Sequence, residues 1–167
     1  MAKQDNSLQH VLIAIIWAGV AAGIVSTLAQ LLLWLVLTDE FPAALFRDAR
    51  LTAALVLGVR VLAPPATFDA VVWLVATLVH FSLSIGYAAL LATFAMRFGN
   101  AASLLAGAGF GVALYAVNLH GFTEMFPWFA QARGWITVAA HALFGMTAIW
   151  VFRRLYFRNA RSQPAGR

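Results

Sequence analysis

VLIAIIWAGVAAGIVSTLAQLLLWLVL, residues 11–37, runs on without a single charged side chain. A membrane-spanning helix needs about 20 mostly apolar residues, because the hydrocarbon core is about 30 Å thick and each residue rises 1.5 Å. A secretory signal has an apolar region of only about 7–15 residues, followed by a small-residue cleavage site. This run is far longer and ends in Leu37-Thr38-Asp39-Glu40, so it reads as a retained span. Asn6 and Ser7 are candidate helix caps before it.

Three further stretches meet the same length test. They cover residues 70–96 after Asp69, 101–119 after the candidate cap Asn100, and 135–157. All five prolines (Pro42, Pro64, Pro65, Pro127 and Pro164) lie outside the four spans, so no proline kink is expected within one. Residues 42–63 are too charged to span. Crossing there would bury Arg47, Asp48 and Arg50 at roughly 2.5–3.5 kcal/mol each near a helix centre. An interfacial or re-entrant helix between the first two spans costs less. The sequence therefore predicts an all-α, four-helix transmembrane bundle over residues 1–157, followed by a basic cytoplasmic tail at 158–167.

Composition agrees. Of 167 residues, 63% are apolar and 10% charged, and the mean hydropathy is +0.85. Soluble domains are about 45–50% apolar and about 25% charged, so a water-soluble globule and a disordered chain are both excluded. Without cysteine, disulfides, thiolate metal sites and cysteine nucleophiles are excluded too. The net charge of +5 is concentrated near the C-terminus, in Arg153, Arg154, Arg158, Arg161 and Arg167. Beside a span this is an orientation and anionic-lipid signal rather than a nucleic-acid surface. With both termini cytoplasmic, the inner side holds Lys3, Arg97 and those five arginines. The outer side holds Arg47, Arg50, Arg60 and Arg133. Trp34, Trp73, Trp128 and Trp135 then fall near the outer boundary, as an aromatic belt does.

Helices in lipid associate through small residues that let backbones approach. Gly19 and Gly23 in the first span, and Gly107 and Gly111 in the third, form such faces, expected to pack on each other or on a partner chain. Polar residues also recur at helical spacing: Thr77, His80, Ser84 and Tyr87 in the second span, Thr137 and His141 in the fourth. Counted from the outer boundary, Gln30, Thr77, Tyr115 and His141 lie about 8–11 Å deep, and His80 about 15 Å. Such groups either cross-link the bundle by hydrogen bonds or form an interior site open toward the outer face. The candidate site is His80, His141, Tyr115, Asn118, Gln30 and Thr77.

Thr38-Asp39-Glu40-Phe41-Pro42 after the first span is echoed by Thr123-Glu124-Met125-Phe126-Pro127 after the third. Each precedes a span with one histidine on its polar face. This suggests two parallel helix pairs about an axis along the membrane normal, with His80 opposite His141. Facing histidines are also the ligand set of a b-type haem. His120, Glu124 and His141 are chemically suited to a divalent metal, but their spacing matches no ligand motif, and no metal site is assigned. Neither a G-x-S-x-G elbow nor a phosphate-binding loop is present, so no catalytic residue is assigned. The aromatic stretch with Glu124, Phe126, Trp128 and Phe129 reads as an interfacial anchor or as a docking surface for a membrane subunit or quinone-like lipid.

From His80-Phe81-Ser82 through Tyr115-x-x-Asn118-x-x-Gly121-Phe122 to Phe126-Pro127-Trp128-Phe129 and His141-x-x-x-Gly145, the chain resembles a family of small, uncharacterised four-span proteins of the bacterial inner membrane. The likeness covers roughly the C-terminal half. It implies a bacterial plasma-membrane location and brings no established activity. Some relatives carry sodium:proline symporter-like labels, but this chain is too short for repeated bundles with broken helices. The leading expectation is a non-enzymatic accessory, assembly or scaffolding subunit. Its partners would be membrane lipids and itself or a larger membrane complex, not nucleic acid. The alternative is a small-solute carrier, or a protein binding haem b or quinone around His80 and His141.

Overall fold

A computed structural model of the chain describes residues 2–97 and 99–162, with side chains described for 8–97, 99 and 101–158. The elements are α1 (Ala2–Leu37), α2 (Ala43–Leu57), α3 (Ala70–Ala95), α4 (Asn100–Ala116) and α5 (Trp135–Ser162), with short 3-10 turns between them. No strand occurs among the described residues. Four helical segments, Leu8–Leu37, Ala70–Ala95, Ala101–Glu124 and Trp135–Arg158, are long and apolar enough to cross a membrane. The chain is an all-α, multi-pass integral membrane protein.

Several boundaries differ from the sequence expectation. Helix α1 starts at Ala2, so Asn6 and Ser7 lie inside it rather than capping it. Helix α4 takes Gly99 as its N-cap, not Asn100, with Ser103 N donating to Gly99 O at 2.8 Å. Helix α5 runs to Ser162, so the first residues of the expected tail continue the helix; residues 163–167, with Arg167, lie outside the described residues, as do the side chains of Lys3 and Arg161. Asp69 caps α3 as its position suggests, its Oδ1 accepting from Val71 N at 2.9 Å and Val72 N at 3.0 Å. Past Ala116, α4 loosens into a π turn over Val117–Gly121 and a 3-10 turn over Phe122–Glu124. Arg133 braces this end, donating from Nε to Leu119 O at 2.7 Å and from Nη2 to Thr123 Oγ1 at 3.1 Å.

The four long helices run up and down, and α5 is the hub. Ala14, Ala18 and Ala22 of α1, all fully buried, share one core with Ala148, Ile149 and Phe152 of α5 and with Leu91 of α3. The glycine faces do not meet each other. Gly19 lies on α3, where an added Cβ would stand 2.6 Å from Ile85 Cα; Gly107 lies on α5, where it would stand 2.6 Å from Gly145 O. Each face is taken up by the helix that follows it in the bundle. In contrast, α3 and α4 touch only along a thin seam, although a turn of four residues joins them.

That asymmetry counts against the expected two-fold axis. An axis exchanging α1 with α4 and α3 with α5 would turn the α1–α5 contact into an α3–α4 contact. The first is among the most extensive in the bundle and the second among the thinnest. A local echo survives: Gly23 faces His80, and Gly111 faces His141.

Helix α2 lies at the end of the bundle opposite both chain termini. Its start joins Trp34 of α1 and Ile136 of α5; Ala53 packs on Val72 and Ala76 of α3; Leu51 meets Leu119 and Ala132. It ends at Gly58, whose φ of 78° lies in the left-handed region open to glycine. Arg50 ties the following loop back, donating to Val61 O at 2.7 Å and Thr67 O at 3.0 Å.

Candidate functional site

Beneath α2, between the four spans, lies a cavity of about 440 Å³. Its roof is one face of α2, with Leu45, Asp48, Ala49, Thr52 and Leu55 at helical spacing. Gln30 and Thr27 enter from α1, Thr77, His80 and Tyr87 from α3, Asn118 from the π turn, and Thr137 and His141 from α5. Closely packed helices below it, with Leu91 and Ile149 almost fully buried, form the floor side of the bundle.

Five of the six candidate residues line this one cavity: His80, His141, Asn118, Gln30 and Thr77. Tyr115 does not. It continues the Gly107–Gly111 face toward α5 and packs edge-on against the His141 ring, with centroids 5.7 Å apart. Its hydroxyl oxygen accepts from Gly134 N at 3.4 Å. The outer-loop residues divide. Glu124 is exposed, whereas Phe126 and Phe129 turn inward to line the cavity. Trp128 packs beside Leu51 and donates from Nε1 to Leu51 O at 3.0 Å. Three of the four residues expected on a docking surface therefore serve the roof.

Hydrogen bonding defines what the cavity presents. His141 Nδ1 donates to Thr137 O at 2.8 Å, one turn back on α5. This places the proton on Nδ1 and leaves Nε2 as an acceptor in the neutral ring, with no partner among the described residues. His80 is engaged differently. Its Nε2 is 3.4 Å from Thr27 Oγ1 and lies where a Cβ on Gly23 would be 3.0 Å away. The nitrogen thus faces α1 rather than the cavity centre. Tyr87 Oη donates to Asn118 Oδ1 at 2.7 Å, leaving the Asn118 amide donors to the cavity.

This geometry does not present the two Nε2 atoms to one iron as a bis-histidine haem would, because His80 Nε2 is turned to Thr27 of α1. Among the described residues, no three His, Asp or Glu side chains gather as a metal site. His120, Glu124 and His141 do not converge.

Asp48 is the residue the sequence reading missed. Its Oδ1 accepts from Arg47 Nε at 2.9 Å and its Oδ2 from Gln30 Nε2 at 3.4 Å. Arg47 Nη1 also reaches Glu40 at 3.7 Å. Burial holds the Asp48 carboxyl above the usual carboxylate range, with the Arg47 guanidinium pulling the other way. The periodic signal was present. Leu45, Asp48, Ala49, Thr52 and Leu55 share a helical face, so a carboxylate flanked by arginines lay on the side turned to the bundle.

No protein-family model, curated protein or solved structure matches this chain. The cavity must be read from its own chemistry.

Proposed function

We propose that this protein binds a small, lipid-soluble molecule with a hydroxyl or carbonyl head in the cavity beneath α2, as a non-enzymatic binding or carrier protein. Its setting in this reading is the bacterial inner membrane, with both termini in the cytoplasm, as the Lys and Arg distribution favours. The observation that carries the proposal is that Gln30, Thr77, Asn118 and His141, one from each span, line one cavity of about 440 Å³.

The size of the cavity supports it. Ligand sites are clefts of about 300–1,000 Å³ with mainly apolar walls and a few polar groups, and this lining has that character. The unpartnered His141 Nε2 accepts from a ligand hydroxyl, while the Asn118 amide donates to a ligand oxygen. A quinol head has both kinds of group, and a quinone head has the carbonyl oxygen that accepts from the Asn118 amide.

The accessory-subunit reading finds less support. The glycine faces it relied on are occupied within the bundle, at Ile85 and at Gly145, and the aromatic loop is folded onto α2.

The test uses Trp34 and Trp73, which line the cavity. In lipid nanodiscs, decylubiquinone should quench tryptophan fluorescence saturably. His141→Gln combined with Asn118→Leu should abolish the saturable part while leaving the helical circular dichroism unchanged. Quenching that rises only linearly with quinone, the same in both proteins, would refute the reading.

A further inference from the structure

We infer that the cavity is entered sideways from the bilayer, through the seam between α3 and α4, with the Tyr87–Asn118 hydrogen bond as its latch. The inference rests on the binding reading above and adds the route, and thereby the requirement that the ligand dissolve in the membrane.

The other walls are closed at the level of the cavity. Gly23 and Thr27 bring α1 against His80 and Ser84 of α3, and Gly111 brings α4 against the His141 backbone of α5. Between α1 and α5, Trp34 and Ile136 share one buried cluster. The α2 end is covered as well. Trp128 donates to Leu51 O, Gln30 bonds Asp48, and Phe46 packs edge-on against Trp73 with centroids 6.4 Å apart. An aqueous approach from that end must displace all of these.

The seam between α3 and α4 has no comparable closure. Toward the chain-terminal end it is held by Phe94 against Phe110, with ring centroids 5.7 Å apart. Beside the cavity the two helices are bridged by Tyr87 Oη donating to Asn118 Oδ1. Both residues line the cavity, as do Leu83 and Leu114 along the same strip. Leu83 is 42% exposed and lies about 20 Å along α3 from Ala70 at 1.5 Å per residue. In a hydrocarbon core about 30 Å thick, that level is among acyl chains, not water. Asn118 sits in a π turn, a local widening of the helix frequent at functional sites. Its backbone is free of the strict α-helical ladder at the point where the latch must open.

The chain has no cysteine, so Leu83→Cys gives a single attachment point for a nitroxide. In vesicles, that nitroxide should collide with oxygen, which concentrates in lipid, several-fold more than with water-soluble nickel-EDDA. The opposite ranking would overturn the lateral route. Independently, Tyr87→Phe keeps the ring and removes the latch. It should speed both association and release of decylubiquinone, followed by tryptophan quenching, by about three- to twentyfold, the span such a membrane hydrogen bond is worth. Unchanged rates would also overturn the proposal. If no saturable quenching occurs in any variant, the binding reading fails, while the nitroxide still decides whether the seam faces lipid.

Discussion

His141 of α5 and Gly111 of α4 are in backbone contact: a methyl group at position 111 would overlap the His141 carbonyl oxygen. The contact places a polar imidazole beside the cavity on a helix that has no room to slide. Gly23 stands in the same relation to His80, although there the near atoms belong to side chains, His80 Nε2 and Ser84 Oγ, both at 3.0 Å. Each histidine thus lies opposite the second glycine of a four-residue pair. Both helix pairs seat an imidazole inside the bundle at a glycine.

Gly111→Ala should therefore be costly and Gly86→Ala should not. A Cβ at 86 meets nothing within 4 Å, and alanine is the better helix former. Forcing a methyl group into a packed contact costs typically 1–3 kcal/mol, and here backbone must move. Thermal unfolding in detergent should show a clear drop in Tm for Gly111→Ala and none for Gly86→Ala. Equal behaviour of the two would mean that α4 and α5 are not this close.

What was legible in the sequence follows from which signals are local. A mostly apolar run of about 20 residues fixes a span by itself, so residues 11–37, 70–96, 101–119 and 135–157 all fall on membrane-long helices. The start of α1 was misplaced because Asn6 and Ser7 are cap-type residues that here simply continue a helix; no proline or glycine precedes Gly19 to stop it. Small-residue faces announce close approach but not the partner, and so Gly107 was not assigned to Gly145. Tyr115 was grouped with the cavity by depth alone. Depth ignores azimuth, and the Gly107–Gly111 face carries Tyr115 toward α5. Asp48 was counted, with Arg47 and Arg50, only as a charge against a span at residues 42–63, yet α2 turns it toward the cavity.

Asp48 makes stability depend on pH in a defined direction. Its carboxyl is held above the ordinary value of 3.8, mainly by burial. The native state then binds the proton more tightly than the unfolded chain. This contribution is fully present below 3.8 and is lost as pH rises through the raised value. Asp48→Asn mimics the protonated form at every pH. The Tm of the variant should exceed that of the wild type increasingly as pH is raised from about 4 to 7. A Tm difference that stays constant over this window would contradict the assignment.

Arg153 closes the far end of α3. Its Nη1 donates to Ala95 O at 2.7 Å, one of the carbonyls left without a partner at a helix C-terminus, where a cation also suits the helix dipole. Arg153→Gln should lower stability by about 1 kcal/mol and speed amide hydrogen exchange in the last turn of α3, with little change in α4. Exchange that rises equally in both helices would point to a global loss of stability rather than a lost cap.

Trp128 joins the aromatic loop to the cavity roof through a single donor. Nε1 reaches Leu51 O at 3.0 Å from 77 positions away, and its ring lies against Leu51, Leu119 and Phe129. Trp128→Phe retains most of the ring contact and removes the donor, a loss of about 0.5–1.5 kcal/mol. Because α2 is too short to cross the membrane and depends on such ties, the effect should be local. Amide exchange should quicken across residues 43–57 while the buried middle of α1 stays protected. If α2 keeps its protection, the roof is held by apolar packing alone, and the indole hydrogen bond is incidental to it.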